Sequence, residues 1–410
     1  MTSRERILAA LNHDPPDRIP VDFGGHRSSG IMAIAYRKLR KHLGLPERPL
    51  RVYDLIQQLA VIDDDVLERF GGDTIELGRG FCREDRYWKE WRLPDGGDCL
   101  IPAWLEVRQI DDDWVLYSPS GRALGVQKAG ALYFEQIYWP YLDGVPDDLS
   151  GLAGAMGEVM WAQPCPPGPG VEAAALASGA RALRAQTDRA ILLLFGGNLM
   201  EWGQFLCRID QFLLLLAGDP ERAHRLLDAL TELHLQRLET VLPALGPAID
   251  IVLFGDDLGM QTGPQISPAM YRKFFKPRHA RLWQRAKELS RAKVKLHCCG
   301  GVRPLLDDLI EAGLDAINPV QISCAGMDAA ELKREFGGRL CLWGGGCDTQ
   351  RVLAEGTPED VRQHVAAQCR ILSPGGGFVF QQVHNIMANV PPENIVAMFD
   401  AVRQEGQPTG

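Results

Sequence analysis

Short apolar runs alternate along this chain with longer stretches in which apolar residues return every three or four positions, the rhythm of strands followed by amphipathic helices. The apolar runs fall at residues 190–195, 249–254, 294–297, 316–320, 340–344 and 377–380, and two more polar ones at 17–23 and 73–77. Helical patterns cover 30–43, 54–70, 173–185, 199–216, 220–245, 267–292, 303–311 and 329–336, and Thr357-Pro358 and Pro391-Pro392 open two more. Ser267-Pro268 has the N-cap side chain and first-turn proline of a helix start. Thr2 and Glu5 have capping-box spacing at the head of a charged, amphipathic N-terminus, which reads as the first helix of the fold. Eight strands alternating with helices predict a parallel sheet. With eight, closure into an α/β fold of the (β/α)8 TIM-barrel type is the natural solution. An open doubly wound sheet is the alternative, but no G-x-G-x-x-G opens a helix here.

The rhythm breaks between residues 78 and 143. Aromatic residues, the turns Asp95-Gly96 and Ser120-Gly121, and β-rich pieces such as 114–117 predict hairpins. This stretch is expected to be a β-rich insertion after the second strand that caps one end of a single barrel domain spanning 1–410. Residues 163–170, with four prolines, read as a loop within that domain.

Composition narrows the class without naming a chemistry. The 410 residues are 46% hydrophobic and 24% charged, as in ordinary globular proteins. No apolar run approaches the length needed to span a bilayer, and the N-terminus lacks a secretory signal. Ten cysteines without framework spacing fit reduced thiols, so a cytoplasmic location is expected. The net charge of −9 and the lack of basic runs argue against nucleic acid as a partner.

Candidate chemistry gathers at the C-terminal ends of the predicted strands, where barrels carry their active sites. In order these ends offer His26 and Arg27; Asn198 with Glu201; Asp256 and Asp257; His297 and Cys299; Gln321; Trp343 and Cys347; and His384. In 294–299 alternation points His297 and Cys299 to one face and Cys298 to the other. An imidazole and a thiolate so placed supply half of a zinc site, and a catalytic zinc takes three protein ligands and keeps one open position. His384, Cys347 and Cys324 are the candidates for the third ligand. A hydrogen-bonded core histidine beside a buried thiol is the alternative for this pair. Asp256 and Asp257 either cap the following turn or act on substrate. Arg27 suits an anionic substrate group or a structural ion pair. The Gly344-Gly345-Gly346 run suits close backbone packing better than a phosphate cradle.

Several stretches together resemble the uroporphyrinogen decarboxylase superfamily along nearly the full chain, closest to its zinc-dependent, corrinoid-linked methyltransferases. They are Asp17-Arg18-Ile19-Pro20-Val21, Gly255-Asp256-Asp257-Leu258-Gly259, Ile266-Ser267-Pro268, His297-Cys298-Cys299-Gly300, Asn318-Pro319-Val320-Gln321, 356–361 and Pro392-Glu393-Asn394-Ile395. The resemblance implies a (β/α)8 fold and zinc held by the H-x-C pair and a later cysteine. His384 stands in that cysteine's place, so the implied ligands are His297, Cys299 and His384. The decarboxylase branch carries an arginine-rich R-Q-A-G-R segment after the first strand to grip porphyrinogen carboxylates. This chain has Asp22-Phe23-Gly24-Gly25-His26-Arg27 there, with one arginine, which argues against uroporphyrinogen as substrate.

The resemblance thus implies methyl transfer between a small substrate, a thiol or a methyl ether, and cobalamin. The cobalamin would cycle between methylcobalamin and cob(I)alamin on a corrinoid protein supplied in trans. Zinc would act as Lewis acid. Asp256 or Asp257 would orient substrate or handle a proton, and His26, Arg27, Asn198, Glu201, Gln321 and Trp343 would line the pocket. The rival expectations are a metal-free lyase of the decarboxylase type and a non-catalytic tetrapyrrole or small-ligand binder. A homodimer is compatible with the sequence.

Overall fold

The computed structural model describes residues 1–162, 168 and 171–406. The proline-rich loop predicted at 163–170 therefore lies, Gly168 apart, outside the described residues. Seven strands form one parallel sheet: β1 (Thr74–Glu76), β2 (Ala190–Gly196), β3 (Ile251–Gly255), β4 (Lys293–His297), β5 (Ala316–Asn318), β6 (Cys341–Trp343) and β7 (Phe378–Val379). They pair in sequence order from β1 to β7, each followed by helix, so every crossover is of the βα type. The sheet curls until its edges meet across Pro20–Asp22. There Asp22 N donates to Phe380 O at 2.9 Å, and Asp73 N donates to Val21 O at 2.8 Å. The fold is TIM-like.

The segment at 17–23, expected as a full first strand, makes one isolated bridge, Val21 to Phe380. Pro20 has no N–H to give to a ladder, and the Asp22 side chain is turned inward to a set of buried donors described below. The helical pattern expected over 54–70 is also shorter than its periodicity suggests. Val52–Asp54 and Leu59–Ala60 pair as antiparallel strands, and only Asp64–Phe70 is helical. The long helix predicted at 199–216 is two helices, Met200–Cys207 and Ile209–Gly218, divided at Arg208, whose φ is +73°. Elsewhere the boundaries agree closely: Pro220–Leu245 and Ala329–Phe336 are helices as read. Thr2 and Glu5 close their capping box on Ser3–Leu11.

Inside the barrel, Ala190, Leu192, Ile251, Ala316, Cys341, Trp343 and Val379 form an apolar filling, closed by Ile7, Ala10 and Leu11 of the first helix. The second, larger core lies between the sheet and its surrounding helices. Between residues 88 and 136 the chain forms two antiparallel sheets. Trp88–Arg92 pairs with Asp98–Pro102, and Glu106–Ile110, Asp113–Tyr117, Ala123–Gln127 and Glu135–Gln136 make a four-stranded meander. In the loop before its last strand, Tyr133 donates its hydroxyl to Met387 Sδ at 2.9 Å, three residues past His384. No described helix is long and apolar enough to cross a membrane.

Candidate metal centre

β4 ends on His297, whose register partners are Gly255 on β3 and Asn318 on β5. Alternation carries Lys295, His297 and Cys299 to the inner face, and sends Cys298 outward, where its sulfur accepts the Leu258 N–H. The turn after Cys299 needs glycine: Gly300 has φ +92°, and a Cβ there would lie 2.3 Å from the backbone of Gly259. His384 reaches the same place from the loop after β7, with φ +63° in the left-handed region that β-carbon sterics disfavour. The ligand atoms of His297, Cys299 and His384 all lie within 4.8 Å of one another. His297 Nε2 is 3.4 Å from Cys299 Sγ, close to the edge of roughly 3.3–3.6 Å that zinc–nitrogen and zinc–sulfur bonds imply in a tetrahedron.

Both imidazoles are held by their other nitrogen. His297 Nδ1–H donates to Asn318 Oδ1 at 2.8 Å. The Asn318 amide is itself oriented, because its Nδ2 donates to Trp343 O and Gln381 Oε1 at 2.9 and 2.7 Å. Ser28 Oγ supplies a further donor to Asn318 Oδ1. His384 Nδ1–H donates to Asn385 Oδ1 at 2.8 Å, and Asn385 is fixed in turn by Gln57. In both rings the Nε2 lone pair is left for a ligand, the arrangement second-shell partners impose at metal sites. Burial, and the neighbouring His297, hold His384 below the usual imidazole range, so it is neutral. Burial and then Asp257 push the Cys299 thiol well above its usual range; a divalent cation among the three reverses that preference. The donor set fits zinc. Cys324 and Cys347 lie outside this group: Cys324 Sγ donates to Gln261 Oε1, and Cys347 is fully buried with its sulfur toward Asp348 O.

Carboxylates border the cluster. Asp257 Oδ1 accepts the Cys299 N–H at 2.8 Å and lies 3.7 Å from His297 Nε2. Glu201 accepts the Asp257 N–H and an Asn198 amide hydrogen. Burial, then Asp257 and Asp256, drive the Glu201 carboxyl far above its usual range. Asp256 is fully buried, and its oxygens accept the N–H groups of Met200 and Glu201 and His279 Nε2, each at 3.0 Å. It fixes the start of the Met200–Cys207 helix.

The remaining pocket candidates divide. Asn198 and Glu201 stand beside Asp257. Gln321 braces the turn after Cys299 by accepting the Gly300 N–H at 2.9 Å. Arg27 makes an ion pair with the buried carboxylate of Asp54 at 2.8 Å, the structural role allowed for it above. Trp343 is fully buried in the barrel, a correction to its placing on the pocket wall: its parity on β6 points it inward, and its Nε1–H donates to Asp22 Oδ2. His26 is buried as well, with Nε2 donating to Gln381 Oε1 and near Asp22; burial, then Lys295, pull its pKa down to about 3. Gly344 packs where a Cβ would meet Pro319 O at 1.9 Å, so the glycine run serves close packing.

Two residues to which the sequence reading gave no role sit beneath the cluster. Lys295 and Asp22 are fully buried, 3.5 Å apart, with the ammonium 3.7 Å from the centre of the Trp343 ring. Asp22 also accepts from Thr74 Oγ1, Ser29 Oγ and Gly25 N, and lies well below the usual carboxylate range. Burial pulls Lys295 down to about 7 against the attraction of Asp22. The signal for Lys295 was present in its parity with His297.

Residues 200–405 match the family model of uroporphyrinogen decarboxylase (URO-D), half of the chain and all three candidate ligands, and the chain belongs to that family. Curated relatives include the uroporphyrinogen decarboxylase of Psychromonas ingrahamii, 30% identical over 46% of this chain, and that of Pectobacterium carotovorum, 27% identical over 47%. The matches span about half the length of these relatives. Among solved structures, a methyltransferase from Methanosarcina mazei superposes over 98% of this chain and 99% of its own, with a TM-score of 0.58 at 17% identity. That likeness is one of fold.

Proposed function

We propose that this protein is a zinc-dependent methyltransferase that moves a methyl group between a small substrate and a corrinoid carried in trans on a partner protein. The observation that carries this reading is the convergence of His297 Nε2, Cys299 Sγ and His384 at the mouth of the barrel, with both Nδ1 atoms tied to amide oxygens. His297, Cys299 and His384 would hold the zinc, which would supply Lewis acidity to the substrate. The chain's own residues do the rest. Asp257 holds the Cys299 backbone and orients substrate, and the Glu201 carboxyl carries a proton beside it. Asn198 fixes Glu201, Gln321 fixes the ligand-bearing turn, and the 78–143 region covers the rim through Tyr133. Purified protein mixed with methylcobalamin or cob(I)alamin and candidate methyl acceptors or donors tests the reading by the cobalamin absorbance change. Zinc-loaded wild type is expected to turn over, and a His297→Ala variant is expected to be silent; equal turnover by the two would overturn the reading.

The names of the curated relatives support a second reading, metal-free decarboxylation. It expects metal-stripped protein to release carbon dioxide from a porphyrinogen. The single arginine after the first strand weighs against it, since Arg27 is already engaged by Asp54.

A further inference from the structure

We propose that Tyr133 and Phe134, at the end of the 106–136 meander, are positioning residues for His384. The meander thereby acts as a clamp: its docking completes the metal centre, and loading of the centre fastens the meander to the barrel. The inference rests on the His297–Cys299–His384 centre and does not depend on which reaction that centre performs.

The loop that carries His384 is the starting point. His384 has φ +63°, a left-handed conformation that persists in a residue with a β-carbon only where neighbouring contacts enforce it. The barrel pins the flanks of the bend: Val383 N donates to Cys347 O at 2.8 Å, and Ile386 N donates to Gly30 O at 3.0 Å. Between them, the backbones of His384 and Asn385 make no hydrogen bond among the described residues, so side chains hold the bend.

Two links reach this loop from the meander. Asn385 Nδ2 donates to Gln57 Oε1 at 3.2 Å, and the residue before Gln57 accepts the Phe134 N–H on Ile56 O at 3.1 Å. Tyr133 donates its hydroxyl directly to Met387 Sδ at 2.9 Å. Phe134 is buried, which seats this corner of the meander on the barrel. Two adjacent residues thus grip the loop at two points, and Asn385 passes the grip to His384 Nδ1 at 2.8 Å.

A ring held this way is ready to complete the ligand set. Once the loop is loosened, the imidazole samples other positions, and affinity falls with the fraction of molecules in which the ring is in place. Linkage requires the converse: docking of the meander is favoured in the loaded protein by the same factor.

Tyr133→Phe removes the donor of the direct grip and Met387→Leu its acceptor, so the two variants break one bond from opposite ends. Zinc affinity of the full chain, measured by chelator competition, is expected to fall about threefold to tenfold in each, less than when a group bonded directly to a ligand is lost. The double variant is expected to fall no further. Ser118→Ala is the control: it cuts the Ser118 Oγ bond to Glu158 elsewhere in the meander and is expected to leave affinity unchanged. With cobalt(II) at saturation, the visible ligand-field bands are expected to shift in Tyr133→Phe and Met387→Leu but not in Ser118→Ala. The reciprocal measurement is hydrogen exchange at the Phe134 amide of wild type, expected to slow by about threefold or more with zinc. Wild-type affinity in both grip variants, an equal fall in Ser118→Ala, or exchange at Phe134 indifferent to zinc would overturn the clamp and leave the centre standing. Wild type that binds no zinc would overturn both.

Discussion

Replacing Asn318 by alanine removes the acceptor that holds His297 Nδ1–H at 2.8 Å. The ring then loses the partner that fixes both its tautomer and its rotation, while its Nε2 must still meet Cys299 Sγ and His384. Loss of such outer-shell partners costs roughly 10–100-fold in metal affinity, or about 1.4–2.7 kcal/mol. A second effect acts on folding stability and not on metal affinity. The substitution also deprives Trp343 O and Gln381 Oε1 of the Asn318 amide hydrogens, and a buried polar group left unsatisfied costs about 1–3 kcal/mol. Asn318→Asp separates the two effects. It restores an oxygen acceptor for Nδ1–H but places a carboxylate against two carbonyl oxygens. Zinc affinity, measured by competition with a chromophoric chelator, is therefore expected to fall in the alanine variant and largely recover in the aspartate variant. Thermal stability of the metal-free protein is expected to fall in both. An alanine variant that binds zinc within about twofold of wild type would refute the view that Asn318 orients His297.

Other expectations follow from the buried groups. Asp256→Ala removes the acceptor of the Met200 and Glu201 N–H groups and of His279; it is expected to destabilise by about 2–4 kcal/mol in urea unfolding, with zinc content retained. Lys295→Met leaves the Asp22 carboxylate buried without its cation and is expected to cost about 3–5 kcal/mol, whereas Lys295→Met with Asp22→Asn is expected to recover much of that loss. His26 has a folded pKa depressed from 6.5 to about 3 by burial and Lys295. The unfolded chain therefore binds its proton first, and stability is expected to fall as pH drops below 6.5 towards 3, by up to about 1.4 kcal/mol per pH unit. His26→Gln is expected to flatten that limb, which acid unfolding curves will read.

The sheet was legible because β2 to β7 are buried on both faces and appear as apolar runs, and their order follows from βα crossovers. The first strand position was less so. Its backbone joins the two sheet edges, but Pro20 and the inward Asp22 prevent a ladder that the composition of 17–23 had suggested. The break at Arg208 has no signal in the apolar period, which runs on through Leu213 to Leu216. At the site, position on the rim was readable while direction was judged unevenly. Parity placed His297 and Cys299 together, and the same rule carried one step back puts Lys295 inside the barrel. Applied to β6 it turns Trp343 inward to Asp22 as well. Of the amides that orient the ligands, Asn385 directly follows His384 in sequence, whereas Asn318 comes from the end of β5, and only the register His297 to Asn318 brings it into reach.

Metal analysis of purified wild type beside Cys299→Ala, His384→Ala and Cys347→Ala tests the central claim most directly. About one zinc per chain is expected in wild type and in Cys347→Ala, and a large loss in the other two. Wild type carefully prepared in the presence of zinc yet free of it, or full zinc retention in Cys299→Ala and His384→Ala, would contradict a His297–Cys299–His384 centre.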